Sequence, residues 1–162
     1  MVNTKRLMTT AFLLAIAMLA HSRASAAQDK TPDKVVEALS SRVQLFLEGV
    51  SSGQSQKAYQ TLLARSDLLK RPADLKKQIE STDALESRYG RYRGFERIAA
   101  RRVGKDLVLM KYLYKCERFP VVWYFAFYRT PRSKVAKVDN ADWRVIVVRF
   151  DTNLEALLST KD

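Results

Sequence analysis

Residues 85–103 read LESRYGRYRGFERIAARRV, and the fold turns on Gly90 within them. Upstream of it, Leu75, Ile79, Thr82, Leu85 and Tyr89 recur at the spacing of one helix face. Downstream of it the period falls to about two, the period of a strand. A glycine at the junction suits a left-handed helix cap. The switch predicts helices before residue 90 and strands after it, an α+β arrangement with the helices packed on an antiparallel sheet.

Working outward, Val35, Val36, Leu39, Val43, Phe46, Leu47 and Val50 form one apolar face of a four-turn helix, with Pro32 at its start and Ser51-Ser52-Gly53 at its end. Ala58, Tyr59, Leu62 and Leu63 mark a second, shorter helix, and Pro72 opens the third. After Gly90, strands are expected at YRGFERIAARRV (92–103), LVLMKYLYKCE (107–117), FPVVWYFAFYR (119–129) and WRVIVVRF (143–150). A turn at Gly104-Lys105-Asp106 and a polar loop over 131–142 separate them. Thr152 and Glu155 have the spacing of a capping box before a short terminal helix.

The helical hairpin, a third helix ending at Tyr89-Gly90, and meander strands finishing with DWRVIVV (142–148) resemble the NTF2-like (nuclear transport factor 2-like) superfamily, in particular its small exported bacterial members. The resemblance covers roughly residues 33–150. It implies a curved sheet and helices forming a cone around a pocket. The segment DTNLEALL (151–158) is not part of that pattern.

The N-terminus has the three parts of a secretory signal peptide. Lys5 and Arg6 are followed by an apolar run from Leu7 to Ala20 and by the small-residue site Ala24-Ser25-Ala26. A membrane anchor needs about 20 apolar residues, more than this run supplies. The expected division is a signal peptide over 1–27 and a single domain over 28–162, secreted or periplasmic. Cys116 is the chain's one cysteine, so no internal disulfide can form and it reads as a small buried hydrophobe.

Charge is unevenly spread. The formal net charge is +12, and +9 without Lys5, Arg6 and Arg23. Residues 29–87 carry nine basic and nine acidic side chains, whereas 88–162 carry seventeen and eight. The second half therefore holds the whole surplus, which speaks of partners rather than of fold.

Catalytic chemistry finds little support. The single histidine, His21, lies in the signal segment, so the mature domain lacks the side chain that most often moves protons near neutral pH. Enzymatic members of the superfamily place an acid–base pair, commonly aspartate and histidine, in the cone. There is no glycine-rich phosphate loop or metal-ligand set, and the serines have no base of the usual kind. Glu96 is the best carboxylate for a base, but a salt bridge with its neighbour Arg97 is the preferred reading. No catalytic residue, metal or cofactor is assigned.

Two constellations remain. Trp123, Phe125 and Phe127 share a strand face and, with Tyr112, Tyr114 and Trp143, are candidates to line an apolar pocket. A central strand buried on both sides reads the same way, and core is the preferred reading. Six arginines between residues 88 and 102 interleave with Tyr89, Tyr92 and Phe95. Stacking plus charge fits nucleic acid, but export argues against it. Arg91, Arg93, Arg101 and Arg102 are expected to be exposed as an anion surface, or else as a charged edge that blocks sheet pairing. Arg97, if it faces the helices, needs a carboxylate. The expected function is a non-catalytic domain that binds a small ligand or an envelope partner, with an anionic surface and a homodimer among the options. An enzyme with an unconventional acid–base residue and a purely structural interaction subunit are the alternatives.

Overall fold

A computed structural model of the chain describes residues 33–130 and 143–158. The segment read as a signal peptide and the loop 131–142 lie outside the described residues. Helices come first: α1 (Lys34–Ser51), α2 (Ser55–Leu62), a 3-10 turn (Asp67–Lys70), α3 (Pro72–Asp83) and α4 (Leu85–Tyr89). Then come β1 (Tyr92–Val103), β2 (Leu107–Cys116), β3 (Val121–Arg129) and β4 (Trp143–Asp151), followed by the short α5 (Glu155–Leu158). The strands form one antiparallel sheet in the order β1-β2-β3-β4, curved and unclosed. The chain is of the α+β class that the change of period at Gly90 predicts. Among the described residues no helix is long and apolar enough to cross a membrane.

α1 begins at Lys34, two residues later than the proline start expected, and its cap is Asp33. Its carboxylate accepts the Val35 and Val36 amides at 2.9 and 3.4 Å, satisfying donors that a helix N-terminus leaves open. The apolar face of α1 is buried from Val35 to Val50. α2 lies close against it. A Cβ on Gly49 would sit 2.9 Å from the Ala58 Cβ, so only glycine allows this approach.

The third helix is not continuous. It breaks at Ala84 into α3 and α4. The Thr82 hydroxyl donates back to the Gln78 carbonyl at 2.8 Å, a bond that bends helices. With its proton so used, Thr82 accepts the Tyr59 hydroxyl at 3.1 Å. Burial pushes the Tyr59 phenol up to about 12, against the pull of that bond and of Gln78. Gly90 has φ 91° and ψ 176°, a positive-φ extended conformation rather than the left-handed helical cap expected. That region is essentially restricted to glycine. At the other end, α5 begins at Glu155 and no capping box forms with Thr152. Instead Asp151 accepts the Asn153 amide at 3.0 Å. Phe119 and Pro120 precede β3 rather than opening it.

Pairing register sorts the sheet into two faces. Facing the helices are the rows Phe95–Tyr114–Val121, Arg97–Tyr112–Trp123–Phe150, Ala100–Met110–Phe125–Val148 and Arg102–Val108–Phe127–Val145. The outer rows are Glu96–Leu113–Val122–Asp151, Ala99–Lys111–Tyr124–Arg149, Arg101–Leu109–Ala126–Val147 and Val103–Leu107–Tyr128–Arg144. Register shifts lie between Tyr92 and Gly94 and between Arg97 and Ala99 in β1, with a third opposite Ala126/Phe127 in β4. Each inserts one residue and exchanges the faces of the residues beyond it.

Candidate binding surfaces

The space between the helices and the curved sheet is occupied by side chains. Phe46 of α1 is its hub, edge-on to Tyr59 at 4.9 Å, to Trp123 at 5.3 Å and to Phe125 at 5.7 Å. Trp123 stacks on Phe125 at 5.9 Å and meets Phe150 at 4.8 Å, and Tyr112 stands edge-on to Phe125 at 6.0 Å. Tyr112, Trp123, Phe125, Phe127 and Trp143 are all buried core side chains. Full burial of each such side chain stabilises by about 1.5–3 kcal/mol, the contribution that a domain without a disulfide needs. The tryptophan Nε1 atoms of Trp123 and Trp143 and the Tyr112 hydroxyl have no hydrogen-bond partner among the described residues. Burial raises the Tyr112 pKa, with Ser40 and Arg97 opposing it.

Of the six aromatic candidates, Tyr114 borders a cavity. That space, about 90 Å³, lies where β1 and β2 meet the end of α1 and α4, beside Tyr92, Cys116 and Glu86. Burial pushes both the Tyr114 phenol and the Cys116 thiol up, and for the thiol Glu86 adds to the effect. Cys116 is therefore held as the weakly reactive thiol, packed against the core.

The four arginines expected to form an anion surface are dispersed: Arg101 and Arg102 are strand neighbours and face opposite sides, and the β1 bulges change the parity between Arg93 and Arg101. Arg91 precedes the strand and is exposed. Arg93 is exposed but paired with Glu117 at 2.8 Å. Arg101 faces outward. Arg102 turns to the helices and is half-buried, which corrects the expectation of exposure. It holds Asp33 at 3.0 Å, donates to the Lys105 carbonyl at 3.1 Å and lies 5.9 Å from the Trp143 ring. Burial by itself would raise the Asp33 carboxyl. The Arg102 bond and the Val35 and Val36 amides outweigh it and hold the group below its ordinary value. Arg97 also faces the helices, and its carboxylate is Glu37 of α1 at 2.9 Å, with the Ser40 hydroxyl at 2.7 Å. Glu96 is correspondingly not bonded to Arg97. It lies on the outer face and pairs with Lys115 across the strand at 3.0 Å.

A different set of cations comes together on the outer face. Tyr124 lies between Lys111, whose Nζ is 5.8 Å from the ring centroid, and Arg149, whose Cζ is 4.5 Å from it. Arg101 sits in the neighbouring row and Arg144 in the row beyond it, with Leu109, Tyr128 and Val147 exposed among them. Counting Lys115, the face carries five cations against the carboxylates Glu96 and Asp151, and both carboxylates already hold a cation. The alternation of Lys111 and Lys115 with leucines is visible in the sequence. Their proximity to Arg149 depends on strand register, which is not. Among the described residues no group of His, Cys, Asp and Glu could hold a metal ion. No family model matches the chain, and no curated protein or solved structure matches it.

Proposed function

We propose that this chain is a non-catalytic binding module of the secreted or periplasmic space, with an NTF2-like cone plugged by its own aromatics, and that it engages an anionic envelope surface through the outer face of its sheet. The filled interior around Phe46, Trp123 and Phe125 carries this reading. It leaves a substrate no room beside those rings, which favours an interaction protein over an enzyme. The outer face supports the choice of partner. Cations set around a half-buried tyrosine and exposed leucine and valine match a surface of phosphate-bearing headgroups, where charge attracts and apolar tips insert. Pairing this face with a second copy about a two-fold axis would set a basic face against itself, so the homodimer option does not use it.

The test is co-sedimentation of the purified protein with vesicles containing anionic lipid, against vesicles of neutral lipid, at rising salt. Retention is expected on the anionic vesicles, weakening as salt screens the charges. Arg101→Gln, Lys111→Gln and Arg149→Gln together should abolish most of it while far-UV circular dichroism stays unchanged. Equal retention of wild type and triple variant would refute the assignment of this face.

A further inference from the structure

The helical layer holds a groove that the outer-face reading does not use. It lies between α1 and α2 and encloses about 200 Å³. Leu45 and Phe46 line it from α1, and Ala58 and Leu62 from α2. Leu45 is 66% exposed, the highest value among the exposed large apolar side chains described. A leucine left in water on the wall of a groove gains from any ligand that covers it.

The charges of the groove all have one sign. Arg42 and Lys57 line it, and no carboxylate among the described residues does. Arg42 is half-buried. Its guanidinium donates to the Trp143 carbonyl at 3.0 Å and the Leu62 carbonyl at 3.3 Å and lies 5.3 Å from the Phe127 ring centroid. These neighbours fix the guanidinium in place, but they are neutral. The other two half-buried arginines described each hold a carboxylate: Arg102 has Asp33 and Arg129 has Asp106. Arg42 has none among the described residues, and burial together with Arg65 lowers its pKa. Of the five N–H groups of a guanidinium, two are used by the carbonyls, which leaves donors for an anion.

The layout sets polarity along the groove. Arg42, Leu45, Phe46 and Gly49 follow i, i+3, i+4 and i+7 on one face of α1, a rise of about 10 Å from first to last. The Leu62 carbonyl marks the Arg42 end. At the other end Gly49 meets Ala58 and the helices close together. Helix backbones bond internally, so an extended peptide laid here would leave its own amides without partners. A chain that needs no such partners fits better.

We propose that this groove binds a fatty-acid-type amphiphile, its carboxylate held by Arg42 and its acyl chain lying along Leu45, Phe46, Ala58 and Leu62, with Lys57 adding a second positive charge on the groove wall. The site is independent of the outer face of the sheet. Calorimetric titration of the purified protein with decanoate, below its micelle concentration, tests it against decanol and decyltrimethylammonium. Saturable one-to-one binding of decanoate is expected, with decanol weaker by about tenfold or more because it lacks the charge-assisted pairing. Leu45→Glu and Lys57→Glu, both at solvent-facing positions, should each weaken decanoate by about tenfold with the fold intact. They keep the test decisive should Arg42→Gln fail to fold. Absence of saturable binding, equal affinity for decanol, or unchanged affinity in both glutamate variants would overturn the proposal.

Discussion

Replacing Trp123 with alanine removes a side chain that has no solvent exposure and that touches three other rings, Phe46, Phe125 and Phe150. Truncation of a large buried aromatic costs about 3–5 kcal/mol. Each lost ring pair adds about 0.5–1.5 kcal/mol beyond its buried area. One effect works the other way. The indole N–H has no acceptor among the described residues, and a buried donor left unpaired costs about 1–3 kcal/mol, which the substitution relieves. The balance places Trp123→Ala at about 5 kcal/mol of lost stability. Trp123→Phe keeps most of the ring packing and removes the unpaired donor, so it should stay within about 1.5 kcal/mol of wild type. Urea unfolding followed by far-UV circular dichroism measures both, with an unchanged slope showing that the same surface is exposed. A loss below about 1 kcal/mol for Trp123→Ala would mean that the core is not packed around this residue. If Trp123→Phe cost as much as Trp123→Ala, the indole N–H would have a partner and the reasoning about it would fail.

Gly90→Ala should destabilise by about 1–3 kcal/mol from backbone strain alone. The added methyl would also stand 3.1 Å from the Arg118 backbone nitrogen, so thermal unfolding should show a clear loss where Gly104→Ala, with nothing within 4 Å of its Cβ, shows less. Asp33 has a folded pKa below its ordinary value near 3.9. Its contribution is therefore fully present above that value and is lost as pH falls through the folded one. Asp33→Asn keeps a helix cap but loses the charge, so the difference in unfolding midpoint between variant and wild type at about pH 6 should shrink towards about pH 3. A difference independent of pH would remove the Arg102 pair from the account.

Much of the architecture was legible because local signals bracket it. Gly90 and the turn at Gly104 enclose β1, and the expected bounds of that strand match those observed. The apolar face of α1 is equally plain from Val35 to Val50. Alternation in β2 separates Val108, Met110, Tyr112 and Tyr114, which are buried, from Leu107, Leu109, Lys111, Leu113 and Lys115, which are not. The fate of the arginines was not legible. Their faces depend on two bulges in β1, and a bulge is a property of the pairing rather than of the strand's own residues. Counting by twos from Arg93 reaches Arg97 and Arg101 as one stripe. In the fold Arg97 meets Glu37 and Arg102 meets Asp33, partners 60 and 69 residues away in sequence. The break at Ala84 was hidden for a similar reason, since Thr82 fits the helix pattern while its hydroxyl bends the helix. Arg42 gave no signal either. Beside the apolar face of a helix an arginine reads as a snorkelling edge residue, and the missing carboxylate shows only once the neighbours are placed.

The claim that binding belongs to the outer face of the sheet is tested most directly by lysine acetylation read by mass spectrometry, with and without anionic vesicles. Lys111 and Lys115 lie on that face, whereas Lys70 and Lys76 are well-exposed lysines of the helical layer. The account predicts that vesicles slow acetylation of Lys111 and Lys115 and leave Lys70 and Lys76 at their rates in solution. Protection of Lys70 and Lys76 with Lys111 and Lys115 unchanged would put the binding surface on the helices and contradict it.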